Sequence, residues 1–290
     1  MIWPKSLVTE LASRRCIIFL GAGASVSCVG QDGRIHPPKW IDFLTGLRDC
    51  VQMLSSDDAS VINDLIEKEK FLDAAEIIYS LVPSADFTNF IRVTLDTPKF
   101  QSSRIHKSIL YIDPKIVITT NYDKIYENYC GSSNESASEG YNVAKYYDDH
   151  LIADLRSPIR IIIKAHGCTS DSSKVILTKS QYFNARKKYL NFYKILDSLF
   201  LSHTILFIGY SLNDPDISLL LENVNITAPS IHPHYFVTES GLIDVLKQSN
   251  KNSYNLDFIE FERGNFEDLY LGLEELVDLV ENKRASNPAI

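Results

Sequence analysis

Apolar residues along this chain follow two rhythms, and the change between them divides it. Cys16–Leu20 (CIIFL) is an unbroken apolar run that stops at Gly21-Ala22-Gly23-Ala24-Ser25. A run that is apolar at every position suits a central parallel strand, buried on both faces. Five more short runs, rich in β-branched and aromatic residues, read as strands: Lys115–Thr119, Ile159–Ile163, Thr204–Ile208, Tyr235–Thr238 and Phe258–Phe261. A short helix is predicted over Ser6–Ser13, and helical segments over Tyr182–Leu201, Ile217–Leu221 and Gly241–Lys247. A last helix, Phe266–Glu281, carries Phe266, Leu269, Tyr270, Leu273, Val277 and Val280 on one stripe. Strands alternating with helices predict an α/β fold, a parallel sheet covered by helices on both faces.

The second rhythm runs from Trp40 to about Leu95. Ile41, Leu44, Leu47 and Val51 recur at three- and four-residue steps, as do Ala74, Ile77, Ile78 and Leu81, then Phe87, Phe90, Ile91 and Leu95. No strand-like run interrupts them, which predicts an inserted helical lobe over roughly 40–98 within one domain spanning 1–290. Ser27–Lys39, rich in Gly, Pro and polar residues, reads as a loop over the glycine turn. Gly131–Gly140 (GSSNESASEG) reads as a polar loop of low complexity.

Composition narrows the class. Hydrophobic residues make up 45% and charged residues 23% of the 290, which fits a globular protein. The formal net charge of −8 supplies no global field for nucleic acid, and Arg186-Lys187-Lys188 reads as a solvated helix face. The five cysteines are scattered, with no C-x-x-C pair, so neither a four-thiolate zinc site nor a secreted disulfide framework is expected. Lys5, Glu10, Arg14 and Arg15 interrupt the residues before Cys16, and no apolar run approaches the length of a membrane span. These readings predict a reduced, cytoplasmic protein.

Candidate chemistry lies at the strand ends. GAGAS follows the first strand, Thr119-Thr120-Asn121-Tyr122-Asp123 the second, Lys164-Ala165-His166-Gly167 the third, and Gly209-Tyr210-Ser211 the fourth. In a parallel sheet the carboxyl ends share one edge, so these strings converge on one crevice. The glycines let bare backbone N–H groups approach a phosphate.

The set GAGAS, TTNYD, AHG and GYS, in this order and on these strands, resembles the sirtuin family, most strongly the bacterial sirtuin-like domains of anti-phage defence systems. The resemblance covers most of the chain outside the helical lobe. It implies a Rossmann-like fold with an inserted module, and NAD as ligand. By the same resemblance Gly21, Ala22, Gly23 and Ser25 line the pyrophosphate and the nicotinamide-side ribose. Thr120, Asn121 and Asp123 match the T-x-N-x-D signature, in which the Asn holds the nicotinamide ribose and a water and the Asp orients the nicotinamide pocket. His166 matches the catalytic histidine, a general base on the ribose hydroxyls. Gly209 and Ser211 match the G-T-S string, with Tyr210 in place of Thr, and contact phosphate or the adenosine half. Two departures stand out. Pro37-Pro38-Lys39-Trp40 replaces the Pro-Asp-Phe-Arg stretch of the deacylases, and only Cys168 stands where they carry four zinc cysteines. The expectation is therefore NAD as substrate, no zinc, and hydrolysis to nicotinamide and ADP-ribose rather than protein deacylation. With one domain filling the chain, gating by a separate sensor protein or by homo-oligomer formation is expected.

Other readings of the same residues stay open at this level. Asn121 is a ready helix cap, and a histidine before a glycine is often a hydrogen-bonded turn residue. Asp214 and Asp216 read as helix N-terminal acids, and Trp40 as an anchor of the lobe. Arg92 and Arg104 are within reach of a phosphate only if the fold brings them there. An NAD- or ADP-ribose-binding sensor, or a transferase or deacylase, are the competing functions; a sensor would keep the glycines and Ser211 but not need His166.

Overall fold

The structure is a computed structural model that describes residues 1–132, 140–212 and 215–287; most of the GSSNESASEG loop, Asp214 and the side chain of Asp216 lie outside the described residues. In chain order the elements are α1 (Lys5–Ala12), β1 (Cys16–Leu20), α2 (Trp40–Arg48), α3 (Ser56–Glu67), α4 (Phe71–Leu81), α5 (Ser84–Ile91), α6 (Arg104–Ile112), β2 (Ile116–Thr119), α7 (Ile125–Ser132), β3 (Tyr141–Lys145), α8 (Leu151–Arg156) and β4 (Arg160–Lys164). Then come α9 (Lys179–Lys188), α10 (Leu190–Ser202), β5 (Thr204–Ile208), α11 (Pro215–Thr227), β6 (His234–Glu239), α12 (Asp244–Tyr254), β7 (Leu256–Phe261) and α13 (Phe266–Ser286).

The seven strands form one sheet in the order β3-β4-β2-β1-β5-β6-β7, and each pairing is parallel. β1 lies at the centre because each of its five residues is buried, as its sequence demands. Alternate residues feed opposite faces. Cys16, Ile18 and Leu20 join one core with Leu7 and Leu11 of α1, Ile109 of α6, and Leu273 and Leu276 of α13. Ile17 and Phe19 join a second core with Leu196 and Phe200 of α10 and Ile217 and Leu221 of α11. The chain leaves β1 toward β2 on one side and returns to β5 on the other. The carboxyl ends of β1 and β5 therefore bound a topological switch point, where α/β sheets open a crevice.

Helices α2–α5 make a third hydrophobic cluster of their own, built on Phe43, Leu44, Leu47, Ile62, Ile78 and Phe87, which closes on Val175 and Leu177 beyond β4. The last of these helices runs into a π-helical turn at Arg92–Asp96.

The structure departs from the sequence reading at a few points. The edge strand β3 was not foreseen: only Ala144 of Tyr141–Lys145 is buried, so the ladder to β4 rather than an apolar run holds it. The long helix expected over Tyr182–Leu201 is two helices. The chain breaks at Tyr189 (φ −110°, ψ 44°), whose ring packs edge-on against Tyr146 at 5.0 Å. α11, α12 and α13 each run beyond the residues expected for them.

Candidate active site

The turn after β1 is a single 3-10 turn, Ala22–Ala24, with no long helix following it directly. Its backbone docks on the turn after β5. The Gly21 N–H donates to the Ile208 carbonyl (3.0 Å) and the Gly23 N–H to the Gly209 carbonyl (2.7 Å). A Cβ on Gly21 would stand 2.4 Å from the Gly209 oxygen, and one on Gly209 (φ +63°) only 2.2 Å from the Ala24 nitrogen. The glycines of GAGAS and GYS are thus demanded by each other, two backbones pressed together at the switch point. The sequence reading tied each string to parts of a nucleotide ligand and did not pair the two turns with each other.

Above this junction opens a cavity of about 500 Å³, within the roughly 300–1,000 Å³ range of small-molecule sites. Of the residues singled out in the sequence, Ala22, Gly23, Ser25, Thr120, Asn121, Asp123, His166, Gly209 and Ser211 line it, while Gly21 lies beneath in the junction. Arg92 and Arg104 do not line it. Arg92 bonds Asn89, and Arg104 pairs with Glu267 and Glu274 on α13.

Asn121 is fixed from two sides. Its backbone N–H donates to Thr119 Oγ1 (3.0 Å), and its Nδ2 donates to the Gly21 carbonyl (3.1 Å) and Ser25 Oγ (3.4 Å). The amide therefore bridges the first two motifs and does not cap a helix. The helix-starting role falls to Asp123, whose Oδ1 accepts from the Ile125 N–H (2.9 Å), while its Oδ2 accepts from Ser25 Oγ (3.3 Å). Behind the site, Lys164 is nearly fully buried, donates to the Asp123 carbonyl and pairs with Glu127 at 3.6 Å.

His166 is buried at the end of β4. Its Nδ1 lies 3.3 Å from the Tyr182 hydroxyl, and the two rings meet edge-to-face at 5.0 Å. It is both a hydrogen-bonded turn histidine, followed by Gly167 at φ +87°, and a wall of the cavity. Under the first turn, Ser103 Oγ donates to the Ala24 carbonyl (3.3 Å), and the Ser103 N–H donates to His106 Nδ1 (3.2 Å). Burial pushes His106 down to about 4, so it stays neutral there. Burial also pushes the Cys28 thiol up to about 12, which removes it as a nucleophile near neutral pH.

The loop expected over the glycine turn reaches the cavity through Pro37 and Pro38, whereas the other outer walls were not foreseen. Pro37, Pro38, Trp40, Phe43, Phe71, Leu72 and Leu95 come from the loop and the lobe, Tyr122 from the TTNYD string and Tyr182 from α9. Thr238, Glu239, Phe261, Phe266 and Leu269 come from β6, β7 and α13. Trp40 both anchors the lobe, lying parallel to Phe71 at 6.4 Å, and faces the cavity. The one available signal was topological: Thr238 and Glu239 sit at the carboxyl end of a strand, the edge on which the motifs gather. Among the described residues, no group of three or more His, Cys, Asp or Glu side chains is placed to hold a metal ion. No helix there is long and apolar enough to cross a membrane.

The SIR2-like domain family matches residues 115–259, half of the chain, which includes TTNYD, AHG and GYS. The chain belongs to the SIR2-like family. Among characterised relatives it is similar to "Defense-associated sirtuin 2" of Bacillus subtilis, 28% identical over 58% of this chain and 16% of that protein. It is also similar to two proteins named "NAD(+) hydrolase ThsA". The Bacillus cereus protein (strain MSX-D12) is 24% identical over 77% of this chain and 42% of its own length. The Acinetobacter baumannii protein (strain 532279) is 25% identical over 52% and 29%. The chain thus spans less than half the length of each of these relatives. Its seven-stranded parallel sheet, flanked by helices, is a Rossmann-like α/β fold.

Proposed function

We propose that this protein is an NAD+ glycohydrolase that cleaves NAD+ to nicotinamide and ADP-ribose as an effector of anti-phage defence. One observation carries the reading: Asn121 and His166, from the ends of β2 and β4, face one cavity whose floor is the interlocked glycine turns of β1 and β5. That floor presents short turns with little side chain, suited to a pyrophosphate, and the aromatic lobe wall suits a nicotinamide ring. The relatives named as an NAD+ hydrolase and a defence-associated sirtuin support the same direction.

The chemistry asks little of the protein. Nicotinamide leaves as a neutral molecule: the C1′–N bond breaks and both electrons go to the pyridinium nitrogen, so no general acid is required. What must be stabilised is the oxocarbenium-like centre left behind. The side chain of Asn121, locked by its bonds to Gly21 and Ser25, places a neutral dipole beside that centre without the desolvation cost of a carboxylate. Water then bonds to C1′, and its proton passes to His166 or, through the ribose hydroxyl, to the same base. Asp123, braced by Ser25 and the Ile125 N–H, orients the nicotinamide pocket. No zinc is part of this proposal, and a separate regulator or self-association is proposed to gate the activity.

The test is release of free nicotinamide from NAD+, by the protein alone and with a candidate regulator added. Asn121→Ala and His166→Ala are each expected to lower the rate by about 100-fold or more, the usual weight of an electrostatic or acid–base group. Tight NAD+ binding with no turnover under either condition would overturn hydrolysis and leave a sensor. Label transferred to protein would mark a transferase.

A further inference from the structure

We propose that Tyr182 is a positioning residue for His166, its hydroxyl oxygen accepting the Nδ1 proton so that the ring works through Nε2. This rests on the reading of His166 as the base of an NAD+-cleaving site.

Tyr182 belongs to none of the four strand-end strings, yet the fold delivers it to His166 with care. The His166 carbonyl accepts from the Ile176 N–H (3.0 Å), and the Ile176 carbonyl accepts from the Tyr122 hydroxyl (2.6 Å). The segment after AHG is thereby held against the TTNYD string before it enters α9. There a capping box fixes the first turn: Thr178 Oγ1 accepts from the Gln181 N–H, and Gln181 Oε1 accepts from the Leu177 and Thr178 N–H groups. The lobe clamps the same turn, with Ser180 N–H donating to Glu76 (3.0 Å) and Lys179 paired with Asp73. One residue past this braced turn stands Tyr182, buried, its hydroxyl 3.3 Å from Nδ1.

A phenylalanine would fill the same space and keep the edge-to-face ring contact. The hydroxyl is the added feature, and burying one is tolerated when it is bonded. Either partner can donate in principle, but a base acting at Nε2 must carry its resting proton on Nδ1, which makes the Tyr182 oxygen the acceptor. When Nε2 takes a proton from a substrate hydroxyl or from water, the imidazolium keeps Nδ1–H on Tyr182. The bond therefore survives the step and keeps the ring in place. Here Tyr182 fills the orienting place that a carboxylate holds behind the histidine of hydrolase triads.

The test is Tyr182→Phe in the full chain, read in two ways. In the ligand-free protein, ¹⁵N spectra of the His166 ring, assigned with His166→Gln, are expected to show the Nδ1–H tautomer in the wild type and a shift toward Nε2–H in Tyr182→Phe. In NAD+ cleavage the variant is expected to lose about 10- to 100-fold in kcat, part of what a general base supplies, with KM nearly unchanged. A wild-type ring already in the Nε2–H form, or a tautomer indifferent to the substitution, overturns the proposal. The spectra need no turnover. A wild type that releases no nicotinamide overturns the hydrolase reading alone, while the tautomer still decides the role of Tyr182. A variant that keeps the spectrum but melts earlier shows Tyr182 to be a packing residue, which also overturns it.

Discussion

At the scale of single residues, the glycines carry the most specific consequence. Gly209 has a left-handed backbone and no room for a Cβ, whereas Gly33 shares the backbone conformation (φ +71°) with nothing within 4 Å of the added atom. Gly33→Ala is therefore expected to cost about 1–2 kcal/mol, the conformational penalty alone. Gly209→Ala adds a backbone collision and is expected to cost clearly more, about 3 kcal/mol or beyond, with loss of NAD+ binding. Urea denaturation of the two variants checks this; equal losses would show that the interlocked turns are looser than described. That GAGAS and GYS matter was legible in the sequence, because glycine at a strand end is a local signal. That each excludes a side chain on the other was not legible, because the two turns are far apart along the chain and meet only through the β1–β5 pairing. Asn121 is similar: its residue type suggested a cap or a ligand group, and only the nearness of the Gly21 carbonyl separates those roles.

At the scale of elements, strands buried on both faces were legible, and the one strand unburied over most of its length was not. β1 and β5 occupy the residues their apolar runs announce, while β3, at the sheet edge, has no such run. Phe19 of β1 is fully buried among Phe200, Phe207 and Tyr210. Phe19→Ala is expected to cost about 3–5 kcal/mol, the range for a buried Phe leaving a cavity, measured by thermal or urea unfolding. The start of α9 is a milder case. Thr178 accepts from the Gln181 N–H, so Thr178→Val is expected to cost about 1 kcal/mol through the lost cap. Because α9 carries Tyr182, NAD+ cleavage should fall in the same variant. Unchanged stability would show that the clamp from Asp73 and Glu76 suffices without the cap.

At the scale of the whole molecule, acid should unfold the protein in two windows. His106 and His234 are buried and neutral, each held down to about 4 mainly by desolvation, below the ordinary histidine value of about 6.5. The unfolded chain binds those protons first, so stability is complete above about pH 6.5 and falls as the pH drops toward 4, by on the order of 3 kcal/mol for His234. Asp113 sits between Arg14 and Arg160 at the amino edge of the sheet and is held below the usual carboxylate range by their hydrogen bonds and charges, against the opposing effect of burial. Its contribution is present above the carboxylate range and is lost as the pH falls below it, after the histidines have acted. Urea midpoints between about pH 7.5 and 2 measure both, and a flat profile from 6.5 to 4.5 would contradict the buried histidines. The sequence by itself determined what is local and periodic: the central strands, the helical rhythm of 40–98 and the motif strings at strand ends. Tertiary structure alone decided which distant groups meet: the glycine interlock, the aromatic wall from the lobe, the edge strand and Tyr182 behind His166. Burial and periodicity are written along the chain, whereas a contact between residues far apart in sequence depends on strand order and register, which no local pattern encodes.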